Sequence, residues 1–132
     1  MQESGNERSA TFQLTYDCLS LLQEWGANLS STASILGFPD STRSRQIRKH
    51  YEGLALPDND VILSRAKIVV LIGDALRTTY PSSQQMRTMW MNAPHKRFSG
   101  MSPLQRIGQG DDSALEAVLV LVDCAYGWQL NQ

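Results

Sequence analysis

Cysteine is scarce: Cys18 and Cys124 are the only two in 132 residues. That is too few for a disulfide framework, and both sit in apolar runs, which predicts two buried thiols in a reducing compartment. Long hydrophobic runs are missing as well. The longest apolar stretches, Ile68 to Gly73 and Ala117 to Val122, fall far short of the roughly 18 to 20 residues that cross a bilayer. Nor is there an excess of charge of one sign. Lys and Arg number 12 against 13 Asp and Glu, a formal net charge of -1, which excludes a globally basic coat for nucleic acid. The stretch Met1 to Ala10 is polar and lacks the apolar core of a secretory signal. A cytoplasmic protein without membrane contact is expected.

Residue sets that carry chemistry are also absent. His50 and His95 stand far apart, and no Cys-x-x-Cys, His-x-x-x-His or glycine-rich phosphate loop occurs. No catalytic residue, metal ligand, cofactor or small-molecule substrate is therefore expected. Asp111 and Asp112 are adjacent carboxylates, but ahead of a helix they are read as favouring the positive end of its dipole.

What the chain does have is helical periodicity. Leu14, Cys18, Leu21, Leu22 and Trp25 recur at three- and four-residue spacing up to Gly26. A short helix capped by Ser30 or Ser31 is expected to stop at Gly37, and a third, capped by Ser41, to reach Tyr51. Asp60 is expected to cap a long helix to Tyr80. That helix is apolar on nearly every face from Ile68 to Ile72, which predicts either a central core element or one shared with a second copy, hence a homodimer. Ser83 and the pair Ser102-Pro103 open further helices, and Ser113 with Glu116 reads as a capping box for a last helix ending at Gly127. The expected class is all-α, with residues 1–10 disordered.

Charge is unevenly placed. Ser41 to Tyr51 holds Arg43, Arg45, Arg48 and Lys49 and no acid, whereas Met101 to Gln132 holds Arg106 against Asp111, Asp112, Glu116 and Asp123. The segment Leu29 to Tyr51 has helix-turn-helix grammar: a small Ala33, Gly37 in the turn, then a basic helix. Thr42, Arg43, Arg45, Gln46, Arg48 and Lys49 are the candidate DNA contacts, because Arg and Gln pair with base edges and Lys with phosphate. An ordinary solvated basic helix is the alternative.

A more specific order of residues follows: Trp90-Met91-Asn92-Ala93-Pro94-His95-Lys96-Arg97-Phe98-Ser99-Gly100-Met101-Ser102-Pro103-Leu104. It is a helix end, an irregular loop with an aromatic anchor, a glycine bend and an immediate Ser-Pro helix start. This order resembles the toxin-binding domain of the Xre/MbcA/ParS antitoxin family. The likeness continues through Ile107, a glycine loop at Gly108 or Gly110, and Gly127. It covers the chain from Asp60 onward, and the N-terminal part is similar to the family's degenerate helix-turn-helix. The chain departs from the pattern at Arg106, a place that often carries a second leucine.

The resemblance implies a non-enzymatic antitoxin of a type II toxin–antitoxin pair. Its partners would be a RES-domain toxin and its own operator DNA. Residues 11–56 would form the DNA-binding part and 57–132 the dimerisation and toxin-binding domain. Lys96, Arg97, Phe98, Gly100, Ser102, Tyr126, Trp128, Gln129, Leu130, Asn131 and Gln132 are the candidate toxin contacts, whereas Trp90, Leu104 and Ile107 are read as core. A DNA-binding regulator without a toxin, or a protein-binding module with a vestigial helix-turn-helix, are the competing expectations.

Overall fold

The computed structural model describes the backbone of residues 2–130 and the side chains of residues 8–125. Every regular element among the described residues is helical, as the periodicity predicts: α1 (Gln2–Trp25), α2 (Leu29–Leu36), α3 (Ser44–Tyr51), α4 (Asp60–Thr79), α5 (Gln84–Asn92), a 3-10 turn (Lys96–Phe98), α6 (Pro103–Gly108) and α7 (Ala114–Leu130).

The helix boundaries follow local hydrogen-bond chemistry. Ser83 Oγ accepts from the Met86 N–H at 3.1 Å, and Ser102 and Gln105 cap each other reciprocally at the start of α6. Three caps differ from expectation. Asn28, not Ser30 or Ser31, caps α2 by accepting from the Ser31 N–H at 2.7 Å. Asn59, not Asp60, caps α4 by accepting from the Ile62 N–H at 3.0 Å. α3 begins at Ser44 instead of after Ser41, where the Gln46 side chain accepts from the Arg43 N–H at 3.1 Å. For α2 and α4 a second cap-forming side chain lies within a few residues, and the one with extended backbone serves.

The ends of the chain also differ. α1 begins at Gln2 rather than near Phe12, so the segment expected to be disordered is helical. It holds no proline, and with Gly5 as the only poor helix former the helix extends back from its packed part. At the other end, α7 runs through Gly127 to Leu130. A glycine inside a helix costs only about 1 kcal/mol relative to alanine, which weakens a helix without ending it.

α4 is the central pillar. Ile62, Ala66, Val69, Ile72 and Leu76 on it are buried, facing Cys18, Leu22 and Trp25 of α1 and Leu115, Val118 and Val122 of α7 in one shared cluster. Each buried Val, Leu or Ile among them contributes roughly 1.5 to 3 kcal/mol through its removal from water. The two long helices approach closely at Gly73, where a Cβ would stand 2.5 Å from Leu21 Cδ1. The apolar run of α4 is thus explained largely within its own chain: α7, α1 and α2 cover it, and Leu71 is its half-exposed exception at 51%.

No break in packing falls at residue 56. The single core draws on α1, α2 and Leu56 together with α4 to α7, and the Leu56 N–H donates to Thr15 Oγ1 at 3.0 Å. Of the two thiols, Cys18 is buried as expected and burial pushes its pKa up to about 12. Cys124 is exposed. Two residues beyond the buried Val122, it is turned by about 200° to the outer face of α7. Among the described residues, no helix is long and apolar enough to cross a membrane.

Candidate functional site

The basic segment forms a surface held from beneath. α2 ends at Gly37, whose φ of 82° lets its N–H bond back to the Ala33 and Ser34 carbonyls. The chain then turns through Phe38 to Arg43 into α3. Ile47 is buried against α2, and the Tyr51 hydroxyl lies 2.7 Å from Thr32 Oγ1. Burial raises the Tyr51 pKa, and the Thr32 contact opposes that rise. His50 is fixed as well, with Nδ1 3.0 Å from the Leu54 carbonyl oxygen and its ring 5.6 Å from that of Phe38. It serves this local packing.

With its inner face so anchored, α3 presents Arg45, Gln46, Arg48 and Lys49 to solvent, and Arg43 is exposed just ahead of it. Among the described residues, none of these four cations has a hydrogen-bonded or ion-paired carboxylate. The structure therefore brings five of the six predicted contacts to one open surface. Thr42 is half-buried, bordering a polar cavity of about 300 Å³ with Ser30, Ser34 and Ser44.

Other arginines are bound into the fold. Arg65 of α4 donates to the carbonyls of Gly110 at 3.0 Å and of Ser34 and Ile35 at 3.4 Å, and to Asp112 at 2.9 Å. It clamps the end of α2 and the α6–α7 loop onto α4. Arg106 pairs with Asp111 at 2.6 Å, and the Ser113 hydroxyl donates to the same carboxylate at 2.9 Å. The Arg106 contact, with Ser113 adding to it, holds the Asp111 carboxyl well below the ordinary carboxylate range. Asp111 and Asp112, read from sequence as dipole partners, are thus arginine partners. The Asp112 pairing was not legible in the sequence, because the Arg65 contact spans 47 positions.

The second predicted surface is a self-closed loop. The His95 carbonyl accepts from the Phe98 and Gly100 N–H groups, and the His95 N–H donates to the Met101 carbonyl at 3.1 Å. Ser99 and Gly100 follow each other with φ of 55° and 89°, turning the chain sharply into α6. The His95 ring lies 5.0 Å from that of Trp90 and 6.3 Å from that of Phe98. Phe98 and Ser102 are buried, one as a core side chain and the other as the α6 cap, so both are corrected from contact residues to supports. Lys96, Arg97 and Gly100 remain exposed on the loop. Ile107 is core, and Trp90 and Leu104 pack against it half-buried. The side chains of Tyr126, Trp128, Gln129 and Leu130, and all of Asn131 and Gln132, lie outside the described residues.

Among the described residues, no group of three His, Cys, Asp or Glu could hold a metal ion. No protein-family model matches the chain, and no curated protein is similar to it in sequence.

Proposed function

We propose that the chain is the antitoxin of a type II toxin–antitoxin pair, a binding protein in which α2 and α3 serve as a helix-turn-helix. On this reading it occupies operator DNA, and its C-terminal half inhibits a RES-domain toxin in the cytoplasm. The observation that carries the DNA part is the anchored α3 with Arg43, Arg45, Arg48 and Lys49 exposed and, among the described residues, without an ion-paired acid. Cations not spent on the fold are free to displace counterions from phosphate. The toxin part rests on the order of residues from Trp90 to Leu104, which folds into a tight loop that displays Lys96 and Arg97 beside a buried Phe98.

Band shifts on DNA from upstream of its own gene test the first half. Replacing Arg45 and Lys49 by Ala should weaken binding and lower the slope of log K against log salt by about one for each phosphate no longer neutralised. Wild-type protein that shifts no such DNA at low salt, with or without a partner, rules the operator role out. Co-expression with the toxin encoded beside it tests the second half: growth should be rescued by wild type, and the two proteins should co-purify. Sedimentation of the free protein reports whether it works as the homodimer expected from the sequence.

A further inference from the structure

A cavity of about 680 Å³ opens between the N-terminal half of α1, the strap 55–58 and α4, away from the surfaces assigned above. Its size falls within the range of small-molecule sites, which are typically about 300 to 1,000 Å³ and mostly apolar with a few placed polar groups. Phe12 and Leu14 of α1 form one wall, and Leu56 and Leu63 the other. Phe12 is 51% exposed, a large apolar ring left open to solvent. Arg8 of α1 and Lys67 of α4 line the cavity from opposite helices, with Asp58 as the one carboxylate among the described lining residues. Among the described residues, neither cation is ion-paired, whether to Asp58 or to any other acid.

We propose that this cavity binds a small amphipathic anion, an aliphatic or aromatic body carrying one carboxylate. The apolar body would cover Phe12 and lie along Leu14 and Leu63, and the carboxylate would meet Arg8 and Lys67. The wall is preformed: Leu56 is held by its bond to Thr15, and Thr15 Oγ1 in turn donates to the Thr11 carbonyl at 2.7 Å. The two cations of the lining favour an anion over a neutral or cationic amphiphile of the same length. This inference does not depend on the antitoxin reading.

Calorimetric titration of the full chain with dodecanoate, below its micelle concentration, tests it. Saturable binding of one dodecanoate per chain is expected, with dodecanol and dodecyltrimethylammonium at least tenfold weaker. Arg8→Gln with Lys67→Gln should weaken dodecanoate at least tenfold, and Ala55→Trp should abolish binding by filling the cavity. Circular dichroism checks that each variant folds. If Ala55→Trp does not, the double variant and the head-group comparison still decide. Absence of saturable binding overturns the proposal, as does equal affinity for dodecanol, or undiminished affinity in the double variant. Adsorption to anionic phospholipid vesicles without binding of free dodecanoate also overturns it, and makes the site a membrane contact.

Discussion

The cations of α3 and those at the junction of α4, α6 and α7 are of the same residue types, yet the fold treats them oppositely. Arg65 is only 12% exposed in its side chain and ties three segments together through backbone carbonyls and Asp112. Arg45, Arg48 and Lys49 form no ion pair among the described residues and lie on a helix that Ile47 and Tyr51 already hold in place. Charge that is spent on structure cannot be withdrawn for a partner without loosening the fold. Unspent charge can be, and this is why the two groups belong to different links between structure and function.

The contrast can be broken at several points. Phe98→Ala, in the loop that displays Lys96 and Arg97, should cost about 3 kcal/mol of stability because a buried ring leaves a cavity. A urea midpoint unchanged from wild type would return Phe98 to the surface as a contact. Arg65→Ala comes next. It strands the Gly110 carbonyl and releases the α6–α7 loop, with an expected loss of about 2 kcal/mol by the same measurement. If this variant is as stable as wild type, the clamp is ornamental and the distinction between spent and unspent arginines fails. Arg45→Ala with Lys49→Ala should shift the midpoint by no more than about 0.5 kcal/mol, as expected for exposed side chains without partners.

The smallest effect concerns Asp111. Its carboxyl is held below the ordinary value of 3.8 in the folded chain, so the folded state binds that proton less readily than the unfolded one. The Arg106 contact therefore stabilises fully above the ordinary value, and its contribution falls away as the pH drops from there toward the depressed folded value. Acid unfolding curves of wild type and Asp111→Asn should diverge above that range and converge below it. Parallel curves would mean that the pair, whose carboxylate is exposed, contributes nothing measurable.

Most of the helices could be read from the sequence because their signals are local. Gly26, Gly37, Ser83 and the Ser102-Pro103 pair all end or start helices where expected. Boundaries failed where two competent residues stood close together, as with Asn28 against Ser30, because backbone conformation decides between them and composition does not. Gly127 failed for a different reason, since a glycine marks a stop only when the helix has nothing to gain by continuing. Of the candidate site, the exposed face of α3 was legible from its period. The burial of Phe98 and the Arg65 clamp were not, since they arise from segments distant in sequence.

The bond from Leu56 to Thr15 and the placement of α4 between α1 and α7 have a consequence for biosynthesis. A ribosome delivers α1 before α4, and the apolar face carrying Cys18, Leu22 and Trp25 gains its main partner only when α4 has been made. Val69 and Ile72 of α4 in turn wait for Val118 and Val122 of α7, which are made later still. A nascent chain stopped before α7 therefore holds its largest apolar surfaces open, the state in which chaperones and proteases compete for it. The N-terminal half alone should behave as such an intermediate: soluble only while bound, and short-lived in a cell that degrades what does not finish folding.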